Sequence, residues 1–592
     1  MSADTHEAAN ANTSEKKTSP LGYKTHLYGE KLPTRNNFEI VYTPVLAALK
    51  LDEIRSPIGM GVYASGNENF AAAHFTRDGT RVAEDLLMLK PEIAEETILT
   101  AVRFQATSDN PDQDALSGAY HHEYRSRALI EKQPHLSDET RKKAVDILGK
   151  LGPKWGGTVD EMAYYGARDV TPLVVRLVAE YDKTYPGKRI LEQEVQRKDG
   201  ERVTVRESMK GAVSCVVGSL LSSERGLLEY KKENQAGIDN QYWKDSATSL
   251  LFRDGTSANH KGPIAEISIQ AVTFDALQAA DTLLTPDEKN KIVSKEDVKE
   301  QLSKAEVQDA FSEEEKVELF ALLDEEDGSQ LKVLAKIVQK QVLKKFWMED
   351  EQFFAPALDR DPDTGASRQV DTLTSNPVSV LSSGILEDLS EEEKQAYVVP
   401  TVRMLLSPEF VTDAGIRCAA VRHESLLDFS AYHWSHASWP KDTEEFAQGL
   451  DRYGFYPEAE QMRIRMINAV NIAGDTLELF YVDGEGRVNF DPHGKQAALQ
   501  GSETQKLTMI ATNRGEENQA WTDSSILRAE AEMQRGHHGE SEGEVLRSMP
   551  IAKLLKTEEE ILEAYPRDYY FLIDTKKGKE LDAKWNPEWH KI

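Results

Sequence analysis

Two cysteines in 592 residues, Cys215 and Cys418, are too few for a disulfide framework and leave room for one bridge at most, which fits a reducing compartment. Positive charge is also scarce. Lys and Arg number 71 against 101 Asp and Glu, a formal net charge of −30, so nucleic-acid phosphate and anionic membrane surfaces are excluded as main partners by like-charge repulsion. Long apolar runs are missing as well. Nowhere do eighteen apolar residues follow one another, and "MSADTHEAANANTSEKKTSP" lacks the apolar centre of a signal peptide, so the expectation is a soluble, cytoplasmic protein without a membrane partner. Familiar chemical motifs are absent too. There is no HExxH zinc helix and no GxSxG elbow; "GMGVYASG" misses the dinucleotide spacing. The calcium-loop pattern of "DRDPDTGASRQV" fails at Thr364, where the turn needs glycine, and at Val370, where it needs glutamate. No metal and no cofactor is therefore expected.

What the chain does contain is helical periodicity. Apolar residues recur at helix spacing in "NFEIVYTPVLAALKL", "RVAEDLLMLKPEIAEETILTAVRFQ", "DVTPLVVRLVAEYDKTY", "PIAEISIQAVTFDALQAADTLL", "SQLKVLAKIVQKQVLKKFWM" and "TEEFAQGLDRYGFYPEAEQMRIRMINAV". Strand-like alternation is rare. Residues 1–30 offer almost nothing to bury and read as a flexible lead-in to one large unit over 31–535. Within it, the charged stretch near 285–326 reads as a solvated helical insertion, and 536–592 as a C-terminal extension in which "DYYFLIDT" suits a strand. No fixed-period repeat supports a solenoid; paired helices with loops converging at one end suit the pattern better.

The polar connections between these helices place carboxylates beside aromatics. "HFTRDGTR" sets Arg77 next to Asp78, "HHEYR" sets Glu123 near Arg125, and "NQYWKDS" gathers Asn240, Gln241, Trp243, Lys244 and Asp245. "YHWSHASWPKD" surrounds Asp442 with Trp434 and Trp439. A sugar needs this mixture, because its ring face stacks on an aromatic while its hydroxyls meet polar side chains. Taken singly, each Arg/Asp pair suits an ion pair or helix cap equally well, and each Trp suits a core.

Taken together and in order, "FTRDGTRVAEDLL", "HHEYR", "YYGARDVTPL", "NQYWKDS", "DGTSANHKGPIAEISIQ", "FFAPALD", "SNP", "AGIR", "YHWSHASWPKD", "GLDRYGF", "TLELF" and "NQAW" resemble the glycogen-debranching amylo-α-1,6-glucosidase family. That resemblance implies an all-α fold, the (α/α)6 toroid shared with glucoamylase and trehalase. It also implies roles for particular residues. Asp245 resembles the general acid and Glu478 the general base; Arg77 and Asp78 resemble the pair that grips hydroxyls of the terminal sugar. Trp243, Trp439 and Trp521 are then walls or platforms, and Asn240, Gln241, Lys244, Asp442 and Gln519 polar contacts.

Glycoside cleavage asks for one protonated carboxyl beside the departing oxygen and one carboxylate across the ring; roughly 6.5–9.5 Å between them admits a water and inverts the anomeric carbon. The implied activity is an inverting, exo-acting glycoside hydrolase that releases a terminal α-glucosyl unit from a small oligosaccharide or glycoconjugate. A trehalase- or invertase-like hydrolase on the same toroid, or a non-catalytic carbohydrate-binding protein, is the alternative. Asp254, in "RDG", reads as a turn residue instead.

Overall fold

The computed structural model describes residues 37–66, 70–134, 136–324, 329–427, 431, 433–473, 475–482, 484–486, 488 and 518–535. The lead-in, the C-terminal extension and its "DYYFLIDT" segment lie outside the described residues.

Among the helices of the described residues, twelve matter here: α1 (Asn37–Glu53), α2 (Thr76–Asp85), α3 (Pro91–Arg103), α4 (Val170–Thr184), α5 (Val205–Ser222) and α6 (Ile267–Leu283) in the first half. The second half adds α7 (Gln330–Gln341), α8 (Val378–Ser382), α9 (Glu391–Leu405), α10 (Pro440–Arg452), α11 (Tyr456–Ala473) and α12 (Ala520–Arg535). Their contacts close on themselves. α2 packs on α4, α4 on α6, α6 on α8, α8 on α10, α10 on α12, and α12 returns to α2. Outside that cycle α3 packs on α2, α5 on α4, α7 on α6, α11 on α10 and α1 on α12.

Local sequence explains the boundaries. The single helical pattern expected over 81–105 is two helices: α2 ends at Asp85, turns follow over 86–89, and Pro91 suits the first turn of α3. Gly454, at φ +78°, makes the corresponding break between α10 and α11. Thr204 with Glu207 and Ser390 with Glu393 form reciprocal caps that start α5 and α9. The apolar stripe of α4, including Val174, Val178 and Tyr181, is buried in a core that also takes Leu177 and Val175.

Short antiparallel strands precede several helices of the closed cycle. β1 (His74–Phe75) pairs with β2 (Glu123–Ser126), which pairs with β3 (Glu161–Tyr164). β4 (Ala265–Glu266) pairs with β5 (Ala357–Arg360), and β5 with β6 (Ser367–Gln369). β7 (Ala437–Ser438) pairs with β8 (Phe480–Tyr481). β1, β4 and β7 run directly into α2, α6 and α10, so the chain enters these helices on a fixed path and its first-turn side chains are aimed.

The charged stretch near 285–326 is more than a solvated insertion. Its short helices Lys295–Ser303 and Glu313–Asp324 pack on α7, and Val298, Leu302, Val307, Leu319 and Leu323 are buried in the main core. Its alternation of acids with single Val and Leu residues hides a narrow apolar face, which composition alone averages away. Both cysteines are free thiols: Cys215 is half-buried, and burial pushes the Cys418 thiol up to about 12.

Candidate active site

The first turn of α2 carries Arg77 and Asp78, held in place by the pairing of Phe75 in β1 with Glu123 in β2. Arg77 donates side-on to Asp169 through Nε at 2.7 Å and Nη2 at 2.9 Å, a bidentate ion pair with both partners buried. Asp78 sits beside it under opposing influences. Burial pushes its carboxyl up to about 7, against the lowering effect of Arg77 and with a further upward push from Asp245.

The 237–255 loop presents Trp243 and Asp245. Asn240 folds it by donating to Ser246 O at 2.7 Å and Ser249 Oγ at 3.1 Å, while Ser249 Oγ donates to Lys244 O at 2.6 Å. Lys244 turns away from Asp245. Its Nζ is buried and donates to Ser375 Oγ at 2.6 Å, Asn376 Oδ1 at 2.8 Å and Cys418 O at 3.1 Å, so it anchors the loop from behind. Asp245, half-buried, follows immediately, and Ser246 Oγ lies 2.7 Å from His433 Nδ1. At the loop's far end Asp254 Oδ1 accepts from Thr256 N at 2.8 Å and Thr256 Oγ1 at 2.6 Å, and these bonds lower its carboxyl pKa.

Glu478 arrives on a segment secured at both sides. Gln519 N donates to Thr476 O at 3.0 Å, Thr522 Oγ1 donates to Leu477 O at 2.9 Å, and Phe480 pairs with Ser438 in the β7–β8 ladder. The first turn of α12 thus brings Gln519 and Trp521 alongside Glu478.

These elements meet at a cavity lined by Arg77, Asp78, Trp243, Asp245, Trp439, Glu478, Gln519 and Trp521, together with Ala64, Phe70, Phe75, His122 and His433. The three tryptophans form an edge-to-face series, with Trp439 centred 5.5 Å from both Trp243 and Trp521. His433 stacks on Trp439 at 4.9 Å. Burial, then Lys244 and Arg77, holds His433 well below the usual histidine range; burial and Arg77 do the same to His122. Both imidazoles are neutral near pH 7.

Seven residues expected at the site lie outside this lining. Glu123 and Arg125 form a buried ion pair with each other on β2, and Arg125 covers the Phe75 ring from behind at 5.9 Å. Asn240 and Lys244 spend their polar groups on the loop and its anchor; Tyr230 OH also donates to Asn240 Oδ1 at 2.9 Å. Gln241 is buried beneath the loop, its carbonyl accepting from Arg168 N at 2.8 Å. Asp442 accepts from Ser375 Oγ in the anchor, where burial raises its carboxyl against the pull of Lys244 and Lys441. Trp434 packs with Leu251 and Ala419 and donates from Nε1 to His423 O at 3.0 Å.

Sequence reasoning missed His433, His122 and Asp169. In "YHW" the larger aromatic, Trp434, packs against Leu251 and Ala419, and His433 faces the cavity. Asp169 was visible in "YYGARDV" only as one of many acids; its pairing with Arg77 joins positions far apart in sequence.

No protein-family model matches the chain, and no curated protein sequence does either. Among solved structures it is similar to a glycosidase variant at TM-score 0.43 and 11% identity over 84% of this chain and 98% of that one. A glycosidase variant in complex with glucose gives TM-score 0.42 and 11% identity over the same shares. A GH63 mannosylglycerate hydrolase from Thermus thermophilus, in complex with Tris, gives 0.37 and 12% identity over 82% of this chain and 99% of that one.

Proposed function

We propose that this chain is an inverting, exo-acting glycoside hydrolase of the (α/α)6 toroid type that releases a terminal α-glucosyl unit from a short oligosaccharide or glycoconjugate. The observation that carries the reading is the meeting of Asp245 and Glu478, from loops far apart in sequence, in one cavity walled by Trp243, Trp439 and Trp521. The closed cycle of α2, α4, α6, α8, α10 and α12 supports the toroid, since each member contacts the next and the last returns to the first.

Each group has a task that its surroundings suit. Asp245 protonates the departing glycosidic oxygen, on a loop that Lys244 pins from the buried side. Glu478 removes a proton from a water that attacks the anomeric carbon on the opposite face, its backbone fixed by α12 and β7. Arg77, oriented by Asp169, directs its remaining N–H groups to sugar hydroxyls, and Asp78 accepts from or donates to them according to its protonation.

The test is a panel of α-glucosides, trehalose, sucrose and branched dextrin, followed by product analysis. Glucose release from a small α-glucoside supports the reading. Cleavage of trehalose or sucrose alone moves the assignment to those activities, and sugar binding without any product moves it to a binding protein.

A further inference from the structure

His122 reaches the cavity from the residue before β2, and both its backbone and its ring are held. Its N donates to Tyr164 O at 2.7 Å and its carbonyl accepts from Thr76 N at 2.9 Å, which ties it to β3 and to the start of α2. The ring meets Phe75 edge-to-face at 5.4 Å and Tyr164 at 6.3 Å. Tyr164 is itself fixed, its hydroxyl donating to Asp114 Oδ2 at 2.7 Å. The neighbouring His121 is engaged in the interior, with Nε2 lying 3.2 Å from His74 Nδ1 and 3.0 Å from Thr76 Oγ1. The His122 ring has no such partner among the described residues. Its Nδ1 is enclosed without a hydrogen bond, and Nε2 is the nitrogen left open where the ring lines the cavity.

A nearly buried polar group that lines a cavity and lacks a protein partner is costly until something pairs with it. A neutral imidazole has one N–H and one lone pair, and only Nε2 is within reach of a ligand. Burial and the nearby Arg77 keep the ring uncharged, so the contact it offers is one neutral hydrogen bond, which suits a hydroxyl. We infer that His122 is a specificity-determining residue that binds one hydroxyl of the terminal sugar through Nε2, so that the site takes sugars carrying that hydroxyl and discriminates against those lacking it. The inference rests on the glycosidase reading of the same cavity.

Removing the sugar hydroxyls one at a time tests this in a cycle with the protein. kcat/KM is measured for the α-glucoside cleaved best and for its four monodeoxy forms, with wild-type and His122→Phe protein. In the wild type, loss of the hydroxyl that meets His122 lowers kcat/KM about tenfold. In His122→Phe the parent compound falls by a similar factor, that same monodeoxy form shows no further loss, and the penalties at the other three positions stay as they were. His122→Gln, whose amide stands near the Nε2 position, restores part of the discrimination. If His122→Phe does not fold, the shorter His122→Asn leaves the same position empty and gives the same cycle. A ring that serves packing alone lowers all five compounds together, and that result overturns the inference, as does a penalty pattern identical in wild type and variant. Calorimetry of glucose and its four monodeoxy forms on Asp245→Asn protein, with and without His122→Phe, reads the cycle without turnover. If no glycoside is cleaved but the binding cycle holds, the catalytic reading fails and the role of His122 stands. Cleavage without a position-specific loss does the opposite, and absence of both cleavage and sugar binding overturns both.

Discussion

The two sides of the Trp243 ring use the same residue types to different ends. Behind it, Lys244 has three acceptors, Lys441 has Glu445, and Asp442 takes the Ser375 hydroxyl. In front, Asp78, Asp245 and Glu478 line one cavity together with Arg77, which Asp169 holds side-on. Charges behind the ring are matched partner to partner and maintain geometry. Those in front bring carboxyls from α2, the 237–255 loop and the segment before β8 to one cavity. Buried ionic groups therefore divide into supports and reagents by what surrounds them.

Breaking the front should remove activity and spare the fold. Asp245→Asn and Glu478→Gln are each expected to lower kcat by roughly 10² to 10⁴-fold, with the helical circular-dichroism signal unchanged. Breaking the back should do the reverse. Lys244→Met leaves the Ser375 hydroxyl, the Asn376 carbonyl and the Cys418 carbonyl without their buried donor and, at roughly 1–3 kcal/mol per acceptor, is expected to cost about 3–5 kcal/mol, read as a lowered denaturation midpoint.

Asp78 sharpens the comparison through pH. Its carboxyl titrates near 7 in the folded chain, above its ordinary value, so the folded state holds a proton that the unfolded chain releases. The stability this gives is complete below about pH 4 and is lost as pH rises toward 7. Asp78→Asn is thus expected to match the wild type at pH 4 and exceed it above pH 7 by about 2–4 kcal/mol, in melting curves across that range. The smallest effect belongs to Asp254→Ala, which loses two exposed turn bonds and should leave both the denaturation midpoint and turnover nearly unchanged.

How legible this was depended on whether the information was local. The apolar periods of 170–184 and 267–283 marked real helices because each needs only its own buried stripe. α2 and α10 were harder. Nearly all their residues are buried although many are charged, since Arg81, Asp85, Glu444 and Glu445 face other charged groups in the interior rather than solvent. A polar helix that is buried all round looks like a surface helix in sequence. Asp245 and Glu478 stood out through the motifs around them, whereas Lys244 and Asp442, equally prominent in those motifs, belong to the anchor. Which neighbour in "WKDS" faces the cavity depends on Ser375, Asn376 and Cys418, and no local pattern carries that contact.

The most direct measurement of the acid and base roles is proton NMR of the sugar released in the first turnovers from an α-glucoside. Attack by a water activated at Glu478 predicts that β-glucose appears first and the α anomer grows in only by mutarotation. Initial release of α-glucose would contradict the account.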